Sequence, residues 1–405
     1  KVDGDLILVI IDRYEQFVYG DRILITGELQ KPESFTTDLG RTFNYPGYLK
    51  AQGVEYLVRY GEVELLGKDE GNSFLSILLT GKHHFMEVIE SLIPEPQVGL
   101  GEGLLLGVKR ALGEELTEVF RRTGIIHIVV LSGFNVALVV AFVLYILAFI
   151  LPSRGRVVFG LLAIGSFALM VGLSATVLRA SIMAALLLLA GITGRIYLIS
   201  RALVVTAIVM VLFNPYILVY DPGFQLSFLA TLGLILGAPW LQRKFSNIPT
   251  MFGVREFLTA TIVTQIFVLP LLLYQIGEFS VVSVVVNVLV LPMVPVAMLL
   301  TFLTGIAGLV SPAVALPIAF LANLSLTYIL EVARFFADLP FAAFMVPTFP
   351  FWLVVISYLG LALVTYKLLN NKSPVEKISN LDGWIVQEEE EVGKTGDSRL
   401  SLIHI

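Results

Sequence analysis

The sequence predicts a polytopic α-helical membrane protein of about nine spans, some of them broken, behind a small N-terminal β domain. Three observations predict it. The chain is 57% hydrophobic and only 15% charged, with a mean hydropathy of +0.86, whereas soluble domains are about half apolar and about a quarter charged. The excess lies in long uncharged runs beyond residue 123. The first 67 residues instead alternate apolar and polar side chains between Gly, Asp and Pro turns.

The N-terminal runs DLILVIID, DRILITGEL and VEYLVRYGEVELLG read as strands of a small barrel or sandwich, assigned to residues 1–70. Residues 74–93 and 104–122 have helical periodicity with charges on one face. They are too polar to span, so residues 71–123 are expected to lie along the membrane surface or beneath the β domain. The spans occupy residues 124–370. They are expected at 124–151, 157–173, 176–193, 197–213, 224–241, 257–274, 281–310, 314–337 and 350–369, the seventh broken at Leu291–Pro295. Residues 371–405 form a polar, acidic tail, and its last six residues, LSLIHI, read as translated adapter sequence.

Basic residues fall on alternate connections: Arg154 and Arg156, then Arg195 and Arg201, then Arg243, Lys244 and Arg255. Excess positive charge marks the cytoplasmic side, which places the β domain on the opposite side. Arg121 and Arg122 run against this pattern. A net charge of −5 argues against a broad basic surface, and the absence of cysteine excludes disulfides and thiolate metal sites. No Gly-rich phosphate loop or histidine metal motif is present, so no motor, cofactor or metal is expected.

Polar groups in hydrocarbon are costly unless paired or turned to a cavity. In HIVVLSGFNVALVV, His127 and Asn135 share one face of a continuous helix at about 100° per residue, with Ser132 beside Asn135. Gly133 allows close backbone approach there. Either helix–helix packing or a polar pathway would explain this stripe. His127 and Ser132 do not face each other, which argues against nucleophilic catalysis. Arg179 enters its span by only a few residues, so it either snorkels to the headgroups or faces inward to bind an anion. In DPGFQLSFLATLGLI, Pro222 and Gly223 break the chain and Gln225, Ser227 and Thr231 follow. Gln265 with Pro270 reads as a kink, and Asn287 with Pro292 and Pro295 as a broken helix. Glu331 and Arg334 read as a mutual pair, and His83 and His84 as exposed.

FRRTGIIHIVVLSGFNVAL, LSATVLRASIMAAL, NPYILVYDPGFQLSFLATLGLI and TQIFVLPLLLYQIGEFSVVSVVVNVLVLPMVP together resemble the ComEC competence family. DRILITGELQKP and TFNYPGYLKAQGV resemble part of that family's OB-type domain. The resemblance implies a multi-pass bacterial inner-membrane channel, not an enzyme, that admits single-stranded DNA during transformation. It implies a DNA receptor and a cytoplasmic ATPase as partners. By position it assigns the path to His127, Ser132, Gly133, Asn135, Arg179, Gly223, Gln225, Ser227 and Asn287, although many relatives carry His where Asn135 stands. The metallo-β-lactamase-like domain of many relatives has no counterpart here. A DNA path also needs cations and stacking faces. Lys109, Arg110, Arg121 and Arg122 are candidates for the entry. Phe134, Phe224 and Phe228 are candidate stacking faces in the spans, and Tyr45, Tyr48, Lys50 and Tyr56 in the β domain. The alternative is a transporter of a small anionic metabolite or lipid, built on Arg179 and the broken helices.

Overall fold

A computed structural model describes residues 6–11, 17–37, 40–68, 70–108, 112–129, 132–248 and 253–370. Lys109, Arg110 and the LSLIHI segment lie outside the described residues.

The N-terminal region contains strands β1 (Leu6–Ile10), β2 (Arg22–Thr26), β3 (Leu29–Gln30), β4 (Phe35–Thr36), β5 (Thr42–Phe43), β6 (Val54–Arg59) and β7 (Glu62–Gly67), with helix α1 (Tyr45–Ala51) before β6. Among the described residues these strands form a three-stranded sheet in the order β1-β6-β3 and two ribbons, β2-β7 and β4-β5. Among the described residues the pairing is short and does not close into a barrel. β1 runs parallel to β6, while β2 runs antiparallel to β7.

Helices α2 (Ser73–Glu90), α3 (Gln97–Leu106) and α4 (Gly113–Arg122) follow. Here the expected surface helix at 104–122 is corrected. Gly107, in the left-handed conformation at φ 69°, ends α3. Every residue of α3 from Val98 to Leu106 is buried, in the largest core of the molecule. Its GLGEGLLL composition allows this, because glycines thin the helix and leucines fill the space.

The membrane domain is built from α5 (Ile126–Val129), α6 (Gly133–Ile150), α7 (Ser153–Val171), α8 (Ala175–Thr193), α9 (Ile199–Phe213), α10 (Ile217–Tyr220), α11 (Pro222–Lys244) and α12 (Val254–Gln275). Then come β8 (Glu278–Ser280), α13 (Ser283–Val290), α14 (Met293–Val310), α15 (Pro312–Ala337), β9 (Ala343–Met345) and α16 (Phe351–Asn370). Among the described residues, seven segments are long and apolar enough to cross a membrane: Ile126–Ile150, Ala175–Thr193, Pro222–Lys244, Val254–Gln275, Met293–Val310, Pro312–Ala337 and Phe351–Leu368. Two more, Gly155–Val171 and Ile199–Phe213, are apolar but shorter. The protein is therefore a multi-pass membrane protein, and the seven longer segments overlap seven of the expected spans, while the two shorter ones overlap the other two expected positions without the length to count as spans. The break at Leu291 is present and separates α13 from α14. Pro270, by contrast, lies inside α12 without ending it.

Close packing rests on small residues. Gly305 of α14 faces the Phe85 ring of α2, and Gly308 faces Val88 and Leu92. A Cβ at either glycine would overlap those side chains. The α14–α15 pair adds Ala297, Ala315, Ala319, Ala322 and Ala333, all buried. β8 and β9 pair antiparallel and tie the end of α12 to the segment after α15.

The N-terminal region is fastened to the membrane domain by Arg41, which is 7% exposed. Its Nε donates to the Tyr274 carbonyl at 3.2 Å. Its Nη2 donates to the carbonyls of Leu273 (3.1 Å), Val346 (2.7 Å) and Pro347 (3.3 Å). Leu273 and Tyr274 are in the last turn of α12, where helix carbonyls lack intrahelical donors and the helix end is negative. Nearby, Asn214 Nδ2 donates to the Ala51 carbonyl at 2.7 Å, and Lys50 lies over the Tyr216 ring.

Candidate functional site

The opening stretch HIVVLSGFNVALVV does not form one helix. Ser132 is extended, at φ −83° and ψ 157°, and its side chain accepts from the Asn135 backbone N–H, so it caps α6. The expected single polar stripe is thereby corrected: His127 and Asn135 lie on different helices. His127 is exposed, with Nδ1 3.0 Å from the Gly124 carbonyl. Asn135 is fully buried; its Nδ2 donates to the carbonyls of Ile128 (2.8 Å) and Leu104 (3.2 Å), and its Oδ1 accepts from Ser132 Oγ (3.0 Å). Asn135 thus pins α3, α5 and α6 together, and its amide has no spare capacity of consequence.

Arg179, in the first turns of α8, points toward α6 and α11. Its Nε donates to Ser227 Oγ of α11 at 2.5 Å, and Nη1 lies 3.8 Å from Met183 Sδ. Its guanidinium also rests on the first residue of α6: a Cβ at Gly133 would overlap Nη2. Among the described residues, no carboxylate forms a salt bridge with Arg179. Gly133, Arg179 and Ser227 therefore meet at one point, which brings three of the predicted residues together.

The remaining predicted residues lie apart. Asp221 caps α11, accepting from Phe224 N at 3.2 Å, and Pro222 occupies the first helical position, so DPG starts a helix rather than interrupting one. Gln225 donates to the Leu218 and Val219 carbonyls at 2.9 Å and accepts from Gln275 Nε2 at 2.6 Å. It satisfies the end of α10. Asn287 is 4% exposed with Oδ1 unpartnered, on α13, where Gln265 Nε2 also donates to Ser283 Oγ at 2.9 Å. Helix α13 packs chiefly on α12 and α15.

The proposed entry cations are partly committed. Arg121 pairs with Glu118, and its Nε is 3.2 Å from Glu278 Oε2. Burial raises the Glu278 carboxyl above its usual range, and Arg121 opposes the shift. Arg122 is half-buried. Of the aromatic candidates, Phe224 and Phe228 stack on each other at 4.3 Å and belong to a core cluster, while Phe134 is 38% exposed. Tyr45 and Tyr48 pack against Phe35 and Phe43. Lys50 and Tyr56 line an open cavity of about 270 Å³ with Lys31, Pro46 and Glu55. Glu331 and Arg334 do pair, at 3.0 Å, and His83 and His84 are exposed. Arg41, Gln275 and Ser283 carry interactions that the sequence reading did not single out. Of these only Gln275, an amide at a span end, left a visible signal.

A family model described as Competence protein matches residues 104–370, which is most of the chain and includes every residue of the Gly133–Arg179–Ser227 junction. The chain belongs to the competence protein family. Among curated relatives of this competence protein, ComE operon protein 3 of Bacillus subtilis (strain 168) is 26% identical over 303 residues, covering 70% of this chain and 38% of the relative. An uncharacterized protein of Aquifex aeolicus (strain VF5) is 35% identical over 139 residues, covering 34% of this chain and 32% of the relative. The chain thus spans less than two fifths of the length of either. No solved structure matches it.

Proposed function

We propose that this competence protein is a channel for single-stranded DNA, acting in DNA uptake during transformation. The observation that carries the reading is Arg179: a cation in a membrane-spanning helix, turned inward, with no carboxylate salt bridge among the described residues. Such a charge is costly at membrane depth without an anion to meet it. A DNA strand brings one phosphate charge per nucleotide. Gly133 leaves the guanidinium room beside the backbone, and Ser227 orients it. His127, Ser132, Asn135, Gln225 and Asn287 are then supports of the path or lie along it.

The protein belongs in the bacterial plasma membrane, with the N-terminal β region, read as OB-like, on the extracytoplasmic side, because the basic connections are cytoplasmic. It carries out no chemistry on the strand. A DNA receptor and a cytoplasmic ATPase supply the strand and the energy. The test is entry of labelled DNA into the cytoplasm of a naturally transformable host carrying this gene in place of its own. Arg179→Ala, with normal membrane levels, loses one charge-assisted contact of about 1.5–3 kcal/mol and so reduces uptake roughly ten- to hundred-fold. Unchanged uptake in the variant would sink the reading. Loss of a small anion's transport with DNA entry intact would favour a metabolite transporter instead.

A further inference from the structure

Glu102 sits inside the run GLGEGLLLG on α3 and is 2% exposed. Its Oε1 is sealed from solvent and has no hydrogen-bond partner. A carboxylate in that position has lost its water and gained nothing in return, which costs several kcal/mol if it stays ionised (an order-of-magnitude figure). The groups facing it are mostly of the same sign. Glu90, at the end of α2, meets it carboxyl to carboxyl, and Glu95, in the turn between α2 and α3, adds a second negative charge. Both are exposed.

The opposing charge is weak. Among the described residues Lys82 of α2 is the one cation acting on Glu102, but its Nζ is committed to the Met170 carbonyl of α7 at 3.2 Å. Burial also lowers the Lys82 amine below its usual range. Among the described residues, the other elements packed on α3 bring no charge to Glu102. From α14 comes Thr301, against Gly101; from α15, Thr327, which accepts from Gln97; from α6, Asn135, which holds the Leu104 carbonyl. Glu331 and Arg334 of α15 pair with each other, and His127 of α5 is held at Gly124. Among the described residues no three acidic or histidine side chains are placed to hold a metal ion. Two carboxyls in contact make a hydrogen bond only when one of them carries a proton.

We propose that Glu102 and Glu90 form a proton-binding site, Glu102 holding the proton inside the core and Glu90 exposing the site to solvent. Burial and the neighbouring carboxylates push Glu102 up to about 8, consistent with a proton retained at neutral pH. The bound proton keeps α3 seated between α14 and α15. Its loss places an uncompensated charge two residues from Leu104, the residue that Asn135 ties to the start of α6.

The test titrates the full chain in lipid nanodiscs from about pH 6 to about pH 10, a span that brackets ordinary and raised carboxyls. The infrared C=O stretch of protonated carboxyl is the readout. A component that disappears near pH 8 and is absent from Glu102→Gln is the expected result. In Glu90→Gln the same component remains but its midpoint moves down by about one pH unit, because a like charge is gone and an amide donor replaces it. An identical titration in Glu102→Gln, or no component persisting above about pH 6, would overturn the proposal. If Glu102→Gln does not fold, an unmoved midpoint in Glu90→Gln overturns it as well.

Discussion

Arg41 and Arg179 both turn their side chains into the protein, and they are held in opposite ways. Arg41, at the junction of the β region and the membrane domain, spends two nitrogens on four backbone carbonyls. Arg179, inside the bundle, meets a serine hydroxyl, a thioether and a glycine. Hydrogen bonds to charged groups contribute about 1.5–3 kcal/mol each, and backbone oxygens at a helix end add a favourable field. The first arginine is thus a fastener whose charge is answered. The second has no carboxylate salt bridge among the described residues. The position of a buried charge does not reveal its role; what surrounds it does.

This comparison sets an order of expected effects on stability. Arg41→Ala has the largest, roughly 3 kcal/mol, because it strips several carbonyls at once of a donor. Limited proteolysis should then release the β region well below the unfolding temperature of the bundle. Arg41→Lys should fall between, since one ammonium cannot span the same four oxygens. Asn135→Ala comes next, at about 2 kcal/mol, for the buried carbonyls of Leu104 and Ile128 that it leaves unpaired, read by thermal unfolding in detergent. Gly133→Ala costs about 1–2 kcal/mol by forcing the guanidinium aside. That cost should vanish in an Arg179→Ala background, and additivity of the two would break the claim that they touch. Arg179→Ala alone should change stability by less than about 1 kcal/mol, since the hydroxyl contact it gives up is offset by removing an inward charge that has no carboxylate to meet it. A loss as large as that of Arg41→Ala would make Arg179 a second fastener.

Glu102 adds a pH dependence of known sign. Its folded pKa, about 8, lies above the ordinary carboxyl value. The stabilisation it brings is fully present below the unfolded pKa, about 4.3, and is lost as pH rises through the folded one. Unfolding temperature should therefore decline more steeply across that window in the native chain than in Glu102→Gln.

Much of this was legible in the sequence because hydropathy is a local property. The apolar runs gave the span positions, and Pro292 with Asn287 gave the break before α14. Arg179, Gly133 and Ser227 were visible as polar or small residues in hydrocarbon, although only packing shows that they meet. The polar stripe of the first span failed for a physical reason. Periodicity assumes one unbroken helix, and a Ser capping an Asn backbone N–H two turns in is equally consistent with the letters. The burial of α3 was missed because a short Gly-Leu run resembles a surface helix until Thr301 of α14 and Leu326 and Thr327 of α15 are assembled around it. Arg41 gave no signal at all, since its partners are main-chain oxygens more than 200 positions away.

That last property has an evolutionary reading. A clamp made of main-chain oxygens recognises the course of the backbone and is indifferent to the side chains it passes. The clamp itself leaves the side chains of residues 273, 274, 346 and 347 free to drift, provided that no insertion or deletion shifts the carbonyls by a position. Natural variation at this junction should concentrate in those four side chains and spare both Arg41 and the spacing around it.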